Sequence, residues 1–408
     1  MRKVVSPLVL GAILLTSCLP LHAQPAQAPT DRGGQKSGGK VADPGRLLSV
    51  EDLNPSYSLS EAGKAYAIRY TSTDGITGTG IVTVSGALFM PKGAPPAGGW
   101  PVVAWTHGTV GIGDNCAPSR NPRSERDSAY LNKWLQAGYA IVATDYQGLG
   151  TPGPHPYMNS RAAAHSTLDS IRAVVNGRLN LANKALLVGQ SQGAAAAFAT
   201  AGLASEYAPD LQIRGAIATG IPNLIPPDEN DKGEVASYDP SKGNKVDPTI
   251  AYLLYIAENA RQIDSRMDPA AVFTEQALPL IRKSADLCVR AMFEEVFDKK
   301  MKRNDTFKAD FMKYYAEYFR VNTYPSLRVA MPIFIGIGGA DVDAPTALQV
   351  NFVKKVCEAG SKVEAHIYPG LNHSDTVGRS VLNSTLFAQA VMNSKSIANT
   401  CESEIISH

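Results

Sequence analysis

The pentapeptide Gly189-Gln190-Ser191-Gln192-Gly193 lies between the apolar run Ala185-Leu186-Leu187-Val188 and the alanine-rich stretch Ala194-Ala195-Ala196-Ala197. The run before it reads as a buried strand and the stretch after it as a helix, so the chain must pass from one to the other through a very tight bend. A serine at the centre of such a bend has a strained backbone, and its flanking positions must lack side chains if strand and helix are not to crowd it. Glycine at both is the simplest solution. Gly-x-Ser-x-Gly alone is a weak signal; in the strand, turn and helix context it is a nucleophile elbow, which makes Ser191 the candidate nucleophile.

Around that bend the pattern is β/α alternation. Ala65 to Tyr70 and Ile81 to Phe89 read as strands, followed by the short buried strand Pro101-Val102-Val103-Ala104-Trp105. A helix from Asp127 to Ala137 is closed by Gly138, Ala140 to Thr144 reads as strand, and Ala162 to Asn176 as helix. Later strands are expected at Ile213 to Thr219, Ile333 to Ile337 and Val363 to Ile367. This is the signature of an α/β fold with a mostly parallel, doubly wound sheet and helices on both faces. From Pro222 to Pro325 there is no strand-like run. A loop rich in Pro, Asp, Gly and Lys is followed there by helical periodicity over Thr249 to Arg261, Pro269 to Leu280 and Phe307 to Tyr318. The expected organisation is therefore a catalytic domain of residues 47–221 and 326–408, interrupted by a helical cap of residues 222–325. The charged run Phe297 to Asp305 reads as a solvated surface.

The first 23 residues read as an export signal: Arg2-Lys3, then an apolar run from Val4 to Leu15 too short for a stable membrane anchor. Two cleavage patterns compete. Leu15-Thr16-Ser17-Cys18 resembles a bacterial lipobox, which would leave Cys18 lipidated, and Leu21-His22-Ala23 before Gln24 resembles an ordinary signal-peptidase site. Residues 24–46, rich in Pro, Gly, Gln and Lys, read as a flexible linker. The remaining chain has no charge bias: the formal net charge is +2, and Arg2 and Lys3 account for it. With no basic stripe, nucleic acid is not an expected partner. Four cysteines lie outside the signal: Cys116, Cys288, Cys357 and Cys401. An even number in an exported chain points to two disulfides, and spacing alone leaves all three pairings open. None of the four stands at Cys-x-x-Cys spacing, so no metal site is expected.

A serine hydroxyl needs a base to take its proton, and that base needs a carboxylate to orient it. Of the seven histidines, His22 belongs to the signal, His408 is terminal, His107 sits beside Gly108 as a loop-shaping residue, His155 and His165 precede the nucleophile, and His366 alternates within a strand. His373, in the loop after the final expected strand and before a C-terminal helix, gives the order Ser, acid, His that this fold class uses. Asp341 follows directly on an apolar strand and is the candidate acid, with Asp343 as the alternative. Asp375 reads as a cap or turn former, and Asp145 as a turn-fixing strand-end residue. The oxyanion of a tetrahedral intermediate needs backbone donors; the amide of Gln192 at the helix start is one, and Thr109 in the loop after Trp105 is the second, with its hydroxyl as a further donor.

Trp105-Thr106-His107-Gly108-Thr109-Val110-Gly111, Cys116-Ala117-Pro118-Ser119 and the block Asp145 to Tyr157 resemble the secretory lipases of the α/β-hydrolase superfamily, the group typified by fungal lipase A. The resemblance runs from about Leu47 to Cys401. It implies an α/β-hydrolase fold with a triad of Ser191, Asp341 and His373, the pairs Cys116 with Cys288 and Cys357 with Cys401, and a substrate cleft beneath the cap. The chain departs from the fungal pattern at His107-Gly108-Thr109, where those enzymes carry an acidic residue in the oxyanion loop. The function expected is an exported serine hydrolase of carboxylic esters, esterase or lipase, needing no cofactor. An acyltransferase would use the same residues, and a noncatalytic hydrolase-like binding protein is the alternative of a different class.

Overall fold

A computed structural model describes residues 43–226, 243–264, 266–308, 318 and 320–408. The expected export signal, most of the linker and most of the helix expected over Phe307 to Tyr318 lie outside these residues. The last four linker residues do not hang free: the Thr71 hydroxyl donates to the Asp43 carbonyl at 2.6 Å and accepts from the Arg46 amide at 2.9 Å. Residues 43–46 are thus packed against the strand that carries Thr71, although composition alone assigns them to the linker.

Ten strands form one sheet: β1 (Leu47–Asp52), β2 (Ala62–Thr73), β3 (Ile81–Pro91), β4 (Trp100–Thr106), β5 (Ala140–Thr144), β6 (Leu181–Gln190), β7 (Ile213–Thr219), β8 (Ile333–Gly338), β9 (Val363–Tyr368) and β10 (Ile406–Ser407). Their order across the sheet is β1-β2-β3-β5-β4-β6-β7-β8-β9-β10. The pairings from β1 to β5 are antiparallel and those from β5 onward parallel. Strand order reverses at β4, so the loop leaving β4 and the turn leaving its neighbour β6 open side by side at the carboxyl edge, where open α/β sheets bind ligands.

Both sheet faces are covered. On one side α2 (Ser160–Asn176), α3 (Gln192–Tyr207) and α8 (Thr346–Glu358) bury Leu168, Phe198 and Phe352 against Val102, Leu187 and Ile335. On the other, α1 (Glu125–Gln136) and α9 (Asp375–Met392) bury Trp134, Leu135, Phe387 and Val391 against Val103, Val188 and Phe334. This two-face burial explains why the central strands are continuous apolar runs rather than alternating ones.

Between β7 and β8 the chain forms α4 (Ile250–Ile263), α5 (Leu278–Lys283), α6 (Val289–Asp298) and the single turn α7 (Arg303–Thr306); the first three share a third apolar cluster with Ile112 and Tyr157. Two expectations need correction here. Pro269 to Leu280 is not one helix: Phe273 pairs as a β-bridge with Phe307, and Pro279, which has no N–H to donate, sits in the first turn of α5, where none is needed. The run Phe297 to Asp305 is only partly solvated, because Met301 is fully buried and Arg303 pairs with Asp247 at 2.5 Å.

Cys116 is bonded to Cys288 and Cys357 to Cys401. The first bond joins the loop after β4 to the start of α6, and the second joins the end of α8 to the chain's last turn. Constraining a loop 44 residues long should limit the unfolded ensemble. Replacing Cys357 and Cys401 with alanine is expected to lower the unfolding free energy by roughly 2–4 kcal/mol, read as a lower denaturant midpoint with the near-UV spectrum of the native state retained.

Candidate active site

Ser191 adopts φ 58° and ψ −124°, a conformation that a residue with a side chain occupies only under constraint. The constraint is close packing on both sides. A side-chain carbon at Gly189 would lie 2.0 Å from the Gly193 carbonyl oxygen, and one at Gly193 would lie 1.9 Å from the Thr106 carbonyl oxygen. Neither position admits a Cβ, so the helix starts hard against the end of β4. Thr106 fastens the contact: its hydroxyl reaches the Gly193 carbonyl at 2.7 Å and the Val188 carbonyl at 3.0 Å. The Ser191 amide donates to Thr219 at the end of β7 at 3.0 Å, leaving the side chain at the mouth of the sheet.

His373 lies in the loop between β9 and α9 and is buried. Its Nδ1 bonds the Asp341 Oδ2 at 2.7 Å, and among the described residues its buried Nε2 has no hydrogen-bond partner. Ser191 and His373 line one cavity of about 820 Å³, together with Gly108, Thr109 and Gln190. Asp341 is held from all sides. Its Oδ1 accepts from the amides of Asp343 at 3.0 Å and Ala344 at 2.9 Å, and Gln349 on α8 donates to its Oδ2 at 3.0 Å. With those donors fixing the carboxylate and the carboxylate fixing Nδ1, the imidazole presents a bare Nε2 to the cavity, the form a general base needs. Asp343, the alternative acid, instead accepts from the Tyr252 hydroxyl at 3.1 Å and lines the cavity rim. Asp341, Asp343 and His373 bring ligand-type atoms within 4.8 Å of one another, but both Asp341 oxygens are already filled by donors, an arrangement suited to orienting an imidazole.

Gln192 opens α3, where the first amides of a helix have no intrahelical acceptor and the dipole favours negative charge. Its side chain is turned to His155, with Nε2 3.4 Å from the ring Nε2. His155 donates from Nδ1 to the Gln147 carbonyl at 3.0 Å, and burial lowers its pKa to about 4, so the ring is a neutral acceptor on its Nε2 side. Thr109 lines the cavities on both sides of Ser191, and its hydroxyl lies 2.8 Å from that of Tyr157. His107 bonds the Gly108 carbonyl at 2.7 Å and packs on Tyr146 at 4.4 Å, shaping the loop. Asp145 is fully buried away from this chemistry and accepts from Ser85 at 2.7 Å and from the Ser119 amide at 2.9 Å. Asp375 begins α9 and accepts from Asn372 at 2.8 Å.

Three contributors have no sequence signal. Gln349 is one of many polar helix residues until the fold turns it onto Asp341. Arg126 reaches from α1 to Gln190 at 3.0 Å and Ser374 at 3.2 Å, bridging the nucleophile turn and the histidine loop. Gly220 takes φ +64° against His373, where a Cβ would lie 2.7 Å from the ring Cε1.

Residues 123–227 match the secretory lipase family. Lipase 7 of Candida albicans is 33% identical over 104 residues, about a quarter of the length of each chain. Lipase A of Candida antarctica in its closed state superposes with a TM-score of 0.70 at 18% identity, covering 92% of this chain and 87% of that one. A ligand-bound form of the rice cell wall degrading esterase LipA of Xanthomonas oryzae superposes at 0.61 and 18% identity, covering 86% and 97%. A putative hydrolase of Legionella pneumophila superposes at 0.65 and 19% identity, covering 86% and 100%.

The fold is that of an α/β-hydrolase. In sequence the chain resembles the secretory lipases of that superfamily, and the matched segment runs from α1 through the nucleophile turn to the end of β7. Within this α/β-hydrolase fold, Gly220 supplies a direct check on the base. Gly220→Ala is expected to displace the His373 ring and slow labelling of Ser191 by a fluorophosphonate by roughly tenfold or more, while intact-protein melting shows a folded protein.

Proposed function

We propose that the protein is an exported serine hydrolase that cleaves carboxylic esters, with Ser191, His373 and Asp341 as its triad. The observation that carries this reading is the pairing in one cavity of a strained, glycine-flanked serine with an imidazole whose Nδ1 is fixed by a carboxylate and whose Nε2 is left bare. In this scheme His373 Nε2 takes the Ser191 proton as Oγ attacks the ester carbonyl. The amides of Gln192 and Thr109 stabilise the oxyanion, and His373 returns the proton to the departing alcohol. Water, activated by the same nitrogen, then releases the acid and restores the serine.

A second, apolar cavity supports a place for the acyl chain. About 280 Å³ in volume, it meets Ser191 on the side of Ile221, Leu224, Leu253, Ile256 and Leu348. Leu253 and Ile256 belong to α4, so in this reading α4 of the insertion roofs the substrate site as part of a cap. The likeness to secretory lipases and the two disulfides favour export and a lipid ester as substrate.

The test is a series of p-nitrophenyl esters of rising acyl length, assayed with the mature enzyme and with Ser191→Ala. Hydrolysis by the former, falling by at least about 10³-fold in the latter, is expected, with the best rates at short to medium chains. An unlabelled Ser191 after fluorophosphonate treatment, with no turnover of any ester, would overturn the assignment in favour of a binding protein.

A further inference from the structure

The short segment His155-Pro156-Tyr157 touches the side chains of both residues to which the oxyanion is assigned. His155 receives Gln192, and Tyr157 meets Thr109 at 2.8 Å. The segment is in turn gripped from the insertion: Asn259 on α4 donates to the His155 carbonyl, and the Tyr318 hydroxyl donates to the Tyr157 carbonyl.

The direction of the Tyr157 to Thr109 bond matters. Tyr157 is buried, and burial raises the phenol's pKa, so it stays protonated. A buried hydroxyl proton requires an acceptor, and among the described residues the one recorded for this phenol is the Thr109 oxygen. If Tyr157 donates, Thr109 accepts on one lone pair and its own proton is free to turn elsewhere. Thr109 faces the two cavities that meet at Ser191, so that proton has the reacting centre before it.

We propose that Tyr157 is a positioning residue: by donating to the Thr109 oxygen it turns the threonine hydroxyl proton toward the oxyanion, making Thr109 a donor through its side chain as well as its amide. This rests on the ester-hydrolase reading above and extends it. A hydroxyl that already has its acceptor filled is both pre-oriented and polarised, since hydrogen bonds in a chain strengthen one another. The benefit falls on the transition state, where charge appears on oxygen, and not on the ground-state ester. The Asn259 and Tyr318 contacts make the insertion part of the same device, because they fix the backbone from which Tyr157 reaches.

The experiment is a double-mutant cycle on the mature enzyme with Tyr157→Phe, Thr109→Val and the pair, read by kcat and KM separately and by inhibition with an alkylboronic acid. Tyr157→Phe is expected to lower kcat by about tenfold with KM little changed, and to weaken the boronic acid by a similar factor. Thr109→Val should cost roughly 10²-fold in kcat, and adding Tyr157→Phe to it should cost nothing more. Melting temperatures report whether each variant is folded. A wild-type enzyme that turns over no ester defeats the functional reading itself. An active wild type whose Tyr157→Phe variant keeps kcat, or whose double mutant shows additive losses, overturns this inference alone. A loss confined to KM overturns it too, since that marks Tyr157 as a substrate contact.

Discussion

Everything at this site depends on how closely the first turn of α3 approaches the last residue of β4. Two glycines and one threonine hydroxyl allow helix and strand backbones to pass within contact distance. That approach tips Ser191 into its strained conformation and aims the helix's unpaired amides at the space above it. It also sets the loop after β4 beside the nucleophile, so that Gly108 and Thr109 share its cavity. The strain is sustained by the apolar packing of α3, whose buried face extends from Ala194 to Ala204 against the sheet.

The candidate base and acid come from the other half of the sheet. β8 delivers Asp341 and the loop after β9 delivers His373, and these strands lie beyond β7 in the sheet order. The proposed base, some 180 positions from Ser191 in sequence, is thus brought in by two parallel neighbours. The price of this long-range assembly is a set of fasteners: Gln349 on Asp341, Arg126 between Gln190 and Ser374, and Gly220 giving the imidazole room. Each removes a degree of freedom from a side chain that must meet its partner within a few tenths of an ångström.

The α/β-hydrolase fold was legible in the sequence because strands buried on both faces leave unbroken apolar runs, as in Val102–Trp105 of β4, Ala140–Ala143 of β5 and Ile333–Ile337 of β8. The edge strands were not. β1 alternates weakly, with Glu51 and Asp52 exposed, and β10 is two residues long. Ser191 was legible because its chemistry and its local geometry are written in five adjacent residues. Asp341 and His373 could be chosen by order and by strand ends, whereas Gln349 and Arg126 act through tertiary contacts that leave no local pattern. The insertion was hardest to read: α6 starts just after Cys288, which offers it no side-chain cap, while Pro269 to Leu280 has helical spacing but packs Phe273 against Phe307 instead.

The bond between Cys116 and Cys288 bears on how the insertion can move. It spans 172 positions and stands beside a main-chain link in which the Val289 amide donates to the Val110 carbonyl at 2.8 Å. One corner of the helical insertion is therefore riveted to the loop that carries Thr109. Any swing of the insertion must pivot about that rivet, moving its far side while the corner beside Thr109 keeps its place.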